Sequence, residues 1–140
     1  LALQNSVESA IAALNGGISV LRIAGIDATD TAAQIANFAI SNAGANSGLG
    51  WTATLGHNSV IASHGDYWSD ALGAAALGGG ANTGTYGLEP IILTENPTTV
   101  GSYTTAELAI LAKAGYTNLT VLGGALAMPS STVNTLLAGL

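Results

Sequence analysis

The 140-residue sequence contains no cysteine. Disulfides, thiolate chemistry and cysteine-ligated metals are therefore excluded. Cationic charge is nearly as scarce. Arg22 and Lys113 are the only basic side chains against eight acidic ones, giving a formal net charge of −6. Two cations cannot follow a phosphate backbone, which excludes nucleic acid as a partner. Charged residues amount to 7%, where an ordinary soluble domain carries about 25%. No apolar run reaches the roughly 18–20 residues of a membrane span. No basic stretch followed by an apolar one marks an export signal. The chain begins at Leu1 rather than Met, and the expectation is a mature or excised piece of a longer precursor.

What is present is aliphatic. Hydrophobic residues make up 49% of the chain but aromatics only 5%, so Ala, Leu, Ile and Val carry the apolar content. Asn, Ser, Thr and Gly must supply an uncharged but hydrated surface, which suits an extracellular or assembly-forming protein better than a cytosolic enzyme.

Helical and extended signatures alternate. Residues 6–14 (SVESAIAAL) place Val7, Ala10, Ile11 and Leu14 at helical spacing, ended by Gly16-Gly17. Residues 18–23 (ISVLRI) predict a strand. Ala32, Ile35, Ala36, Ala39 and Ile40 predict one face of a helix capped by Thr29 or Asp30. The polar, Gly-rich stretch 42–58 reads as a long loop. A strand is predicted at 59–63 (SVIAS), and a helix at 69–77 capped by Ser69 or Asp70. Another loop spans 78–87. Residues 90–94 (PIILT) predict a buried strand whose Pro stands first, where a missing N–H is tolerated. Thr104 and Glu107 have capping-box spacing for a helix that ends at Gly115. A strand at 119–122 follows, ended by Gly123-Gly124, and then a helix with Pro129 in its first turn and Val133, Leu136, Leu137 and Leu140 on one face. Short apolar strands alternating with helices predict an α/β fold: a mainly parallel sheet sandwiched between helices.

Residues 6–14 share their spacing with residues 132–140 (TVNTLLAGL). Either two amphipathic helices are alike by chance, or the chain opens with the kind of helix that closes it, as cutting a tandem array would give. The second reading divides the chain into 1–17, the end of a preceding repeat, and 18–140, a single module.

Candidate sites each have a plainer alternative. Asp66 and Asp70 suggest a cation or sugar-hydroxyl site at the carboxyl end of the sheet, where open α/β sheets bind ligands. They serve equally as turn and helix cap. His57 and His64 flank a strand from opposite ends, roughly 20 Å apart at about 3.3 Å per residue, too far to share a metal. Trp51 and Trp68, with Tyr67, could stack on sugar rings or seal a module–module interface. Gly78-Gly79-Gly80 and Gly123-Gly124 lack the Lys-Ser/Thr of a P-loop and the GxGxxG pattern. No G-x-S-x-G is present for serine hydrolysis. Asn118-Leu119-Thr120 is a glycosylation sequon by pattern and starts a strand.

Four stretches then carry a resemblance. Arg22-Ile23-Ala24-Gly25 with Asp27 and Thr31-Ala32, residues 63–72 (SHGDYWSDAL), Pro90-Ile91-Ile92-Leu93-Thr94, and Val121-Leu122-Gly123-Gly124 with Ala127-Met128-Pro129 and Val133 occur in one order over residues 22–133. Together they resemble the cell wall binding repeat 2 (CWB2) family of bacterial surface proteins. Ala28-Thr29 stand where that family carries an Arg-Tyr pair. The resemblance implies a Toprim-like or Rossmann-like three-layer fold. It further implies tandem or three-fold packing with other copies, and non-covalent attachment to an anionic cell-wall polymer or peptidoglycan-associated glycan at the cell surface. It nominates Pro90, Ile91, Ile92, Leu93 and Thr94 for a polymer-binding groove. Neither enzymatic activity nor a cofactor is expected. The alternative function is a structural subunit of a surface layer or extracellular filament, since few charges would need desolvating when subunits pack. An enzyme with a carboxylate-held Mg²⁺ rests on fold analogy alone, which does not establish function.

Overall fold

A computed structural model describes residues 4–14, 18–42, 58–66, 68–78 and 89–140. Among them are six helices and three strands: α1 (Asn5–Ala12), α2 (Ala28–Ser41), β1 (Ser59–His64), α3 (Trp68–Gly73), α4 (Ala75–Gly78), β2 (Ile91–Thr94), α5 (Ser102–Lys113), β3 (Asn118–Val121) and α6 (Ser130–Gly139). The fold is α/β, as the alternating pattern predicts. The strands form one parallel sheet in the order β2-β1-β3.

The register divides the sheet into two faces. Val60, Ala62 and Ile92 point to one side, where they join Leu108 and Leu111 of α5, Leu136 of α6, Tyr116 and Met128 in the buried core. Ile61, Ile91 and Leu93 point to the other. There the end of α4 closes down, with Ile61 Cδ1 and Ile91 Cγ1 3.5 and 3.8 Å from where a Gly78 Cβ would stand. The central strand is buried at five of its six positions, as a strand covered on both faces should be. Its N-terminal end is clasped to β3 by the Asn58 side chain, which donates to Thr117 Oγ1 and accepts from Asn118 Nδ2.

Several local expectations hold. Gly115 has φ +96°, and the N–H groups of Tyr116 and Gly115 donate to the carbonyls of Leu111 and Ala112. That is the Schellman closure, and glycine supplies the left-handed residue it needs. Pro90 precedes β2, and its carbonyl accepts the Ile61 N–H.

Others are corrected. Residues 18–23 form no strand; they carry no ladder, and Leu21 is 63% exposed. The helix capped near Thr29 or Asp30 instead takes Asp27 as N-cap, its carboxylate accepting from the Asp30 N–H. The buried stripe of α2 is Thr29, Asp30, Ala33, Ala36 and Ala39, while Ile35 stays exposed. The predicted helix over 69–77 is two helices broken at Ala74, and Ser69 and Asp70 lie inside the first of them. The capping box fails because α5 starts earlier, with Gly101 as its N-cap residue. Thr104 and Glu107 therefore turn inward and are both buried. Pro129 stands at the N-cap of α6, and Leu137 is 49% exposed rather than part of the buried face. Gly16-Gly17, His57 and most of the two long loops lie outside the described residues.

Candidate functional site: an aliphatic cleft beside the edge strand

Parallel strands bring the β1, β2 and β3 carboxyl ends to one side of the sheet, and that side is crowded by backbone. The Gly65 N–H donates to the Thr94 carbonyl at 2.7 Å, and a Cβ on Gly65 would stand 2.7 Å from that same oxygen. Gly123, at φ +98°, packs 2.8 Å from Ala127 Cβ and 3.2 Å from Asp70 Oδ2, measured from the position its own Cβ would take. Only glycine fits either place. Asp70 is thus drawn toward the end of β3, while Asp66 stays exposed in the turn after β1. Among the described residues no three His, Cys, Asp or Glu side chains come together as a metal site. His64 is buried, 3% exposed.

The stretch before α2 is locked onto the helix. Asp27 Oδ1 accepts from the Thr29 hydroxyl and the Asp30 N–H. Thr31 Oγ1 donates to the Asp27 carbonyl and accepts the Gly25 N–H, and Asp30 Oδ2 accepts the Ile26 N–H at 2.7 Å. A Cβ on Gly25 would lie 2.5 Å from the Asp30 carbonyl carbon. The Asp30 N–H, and then the Thr29 hydroxyl, hold the Asp27 carboxyl below its usual range.

This locked stretch forms one wall of a cavity of about 660 Å³. Ala28, Thr31, Ala32 and Ile35 of α2 form the second wall, Ile11 of α1 reaches in from the third, and Leu93 of β2 lies against them. Val20, Ile23 and Ile26 add aliphatic surface. At this cavity Arg22 Nε donates to Glu8 Oε2 at 2.6 Å, both side chains about one-third exposed. The chemistry offered is an apolar hollow with an ion pair at its edge.

Of the five residues in the PIILT stretch, the cavity takes one. Pro90, Ile92 and Thr94 are buried, with Ile92 in the core and the Thr94 hydroxyl donating to the Asn96 carbonyl. Ile91 sits beneath α4. Leu93 alone lines the hollow. Trp51 and Tyr67 lie outside the described residues; Trp68 opens α3. Sequence reasoning did not single out Ile11, Val20, Ile26 or Ile35 as lining residues. Their one signal is an aliphatic side chain in or beside a helix; the structure leaves Ile11, Ile26 and Ile35 exposed and Val20 half-buried.

The model of cell wall binding domain 2 (CWB2) matches residues 22–133. The chain belongs to that family. No curated protein and no solved structure matches the chain. The matched CWB2 span begins at Arg22 beside the cavity and ends at Val133, packed against the core. Membership associates the chain with cell wall binding at the surface. Among the described residues, no helix is long and apolar enough to cross a membrane. Three glycines within the matched span, Gly25, Gly65 and Gly123, each make a close approach that a side chain would obstruct.

Proposed function

We propose that this chain is a non-catalytic, extracellular surface module that attaches non-covalently to an anionic polymer or glycan of the cell wall. The observation that carries this is the place of Leu93: in the stretch nominated for binding, it is the side chain that lines the open aliphatic cavity. The C–H face of a sugar chain can lie against Leu93, Val20 and Ile35. Charge then sets the terms. The chain is acidic overall, and Arg22 at the cavity is paired with Glu8, so a polyanion approaches against repulsion that salt or a bridging cation relieves. Asp66 and Asp70 are the carboxylates proposed for such a cation.

Sedimentation of the purified protein with wall preparations tests this directly. The protein is expected to pellet with intact walls and to stay in solution once the anionic polymer is extracted. Recovery in the supernatant with both preparations would overturn the anchoring role.

A second reading, packing of modules into a surface layer or filament, is favoured by α1. None of its residues is buried, although it shares its apolar spacing with α6, whose Thr132 and Leu136 are buried. We propose residues 1–17 as the end of a preceding repeat, with 18–140 as the module proper. Leu126 at 96% and Ile26 at 85% exposure add apolar contact surface, and Trp51, Tyr67 and Trp68 are the aromatic candidates for that contact. Electron microscopy at high protein concentration is expected to reveal ordered assemblies; monodisperse particles would speak against packing.

A further inference from the structure

Glu107 is 3% exposed, and its Oε1 has no hydrogen-bond partner. Its place on α5 explains why. Thr104, at the centre of the buried stripe, meets the Leu93 carbonyl of β2. Leu108 meets α6, its Cδ1 3.0 Å from the position of a Gly139 Cβ. Successive helical residues stand about 100° apart, which turns Glu107 to the flank opposite Leu108; α2 is the other helix that packs on α5, and the wheel directs Glu107 toward it. The buried stripe of α2 offers three alanines, Ala33, Ala36 and Ala39. Its polar members are already engaged: the Thr29 hydroxyl on Asp27, and Asp30 as acceptor from Ile26 and Gln34.

Among the described residues, no Lys or Arg on the elements packed around it answers the carboxylate. α6 and β2 carry no charged residue, and Asp30 is the one charge on α2. On α5 itself Lys113 is exposed in the last turn and Tyr103 is half-buried. Tyr116, just past α5, and His64, ending β1, are buried. Glu95 packs over Gly101, ahead of the first turn. Burial alone pushes the Glu107 carboxyl up to about 7.

We propose that Glu107 makes the α2–α5 seam proton-dependent, closed while the carboxyl is protonated and loosened when it ionises. A buried carboxylate without a donor is costly enough that helices part or water enters. Because Ala28, Thr31, Ala32 and Ile35 of the same α2 wall the cavity, the cavity wall moves with the seam. This inference stands independently of what the cavity binds.

The sign follows from the raised value. The unfolded chain loses this proton near 4.5 and the folded chain near 7. The stability it contributes is therefore full below about 4.5 and is lost as pH rises through about 7. With tenfold per unit, the unfolding constant is expected to rise by up to about 300-fold across that window.

Urea unfolding of the full chain from pH 4.5 to 8, wild type beside Glu107→Gln, reads this as the difference between the two pH profiles. The wild type is expected to weaken across the window and the variant to lack that component. Hydrogen exchange of α2 amides, corrected for intrinsic rate, is expected to accelerate along the same curve, ahead of α6. Superimposable profiles, or α2 protection that does not change with pH, would overturn the proposal. Should Glu107→Gln fail to fold, Glu107→Leu and a carbon-13 titration of the wild-type carboxyl decide the matter, a midpoint near 4.5 being the negative result.

Discussion

The hydroxyl of Thr104 donates to the main-chain carbonyl of Leu93, tying the first turn of α5 to the strand whose side chain lines the cavity. Thr104 is buried, and the acceptor belongs to the sheet-edge strand β2. Thr104→Val preserves shape while leaving that carbonyl without its donor. The expected cost is about 1–2 kcal/mol of unfolding free energy, measured by urea denaturation. A loss under about 0.3 kcal/mol would mean that the bond is replaced by solvent.

Gly25→Ala places a methyl against the backbone of Asp30 and Thr31, 2.5 Å away. Backbone cannot yield as a side-chain tip can, so the loop before α2 must shift. Destabilisation of about 1–3 kcal/mol is expected, together with a changed cavity, read by thermal unfolding and wall retention. Wild-type values for both would show that the locked stretch has slack.

Acid should fray α2 from its N-terminus. The Asp27 carboxyl is lower in the folded chain than its ordinary 3.8. The stabilisation it gives is present above that value and is lost as pH falls toward the folded value. Asp27→Asn keeps a side-chain acceptor for the cap without the charge. Helical circular dichroism between pH 5 and 2 is expected to fall more steeply in the wild type than in the variant.

At the cavity, Leu93→Asp adds a charge to the surface proposed to meet the wall polymer. Retention on walls is expected to drop at least tenfold. Glu8→Gln has the opposite effect: it removes a negative charge from the cavity edge, and retention at low salt should rise about threefold, the scale of an exposed pair. The two signs together distinguish a binding cavity from a passive hollow, because unfolding would lower both.

The three strands were legible because each is a short apolar run flanked by turn residues, and a buried parallel strand has no other signature. Gly115 was legible for a similar reason, since a left-handed helix end strongly favours one residue type. Residues 18–23 have the same β-rich composition yet pair with nothing; β propensity describes side chains suited to a half-buried sheet surface, and a ladder also needs a partner. The α5 start was misread because Thr104 and Glu107 match a capping box in spacing, whereas sheet contacts carry both into the interior. The cavity was hidden for a different reason. Ile35 and Ile11 have helical spacing indistinguishable from core positions, and only tertiary packing decides which aliphatic side chains end up beside a void.

The sheet order has a consequence for a chain made from its N-terminus. β1 lies between two neighbours that both follow it in sequence, β2 about thirty residues later and β3 nearly sixty, as Ile61 pairs with Ile91 and Ser59 with Asn118. Until residue 118 has emerged, one margin of the most buried strand is bare, a template for any other extended segment nearby. Synthesis stalled before that point leaves a species prone to cross-pair with its own kind, so the closing stretch from residue 118 onward shields the strand made long before it.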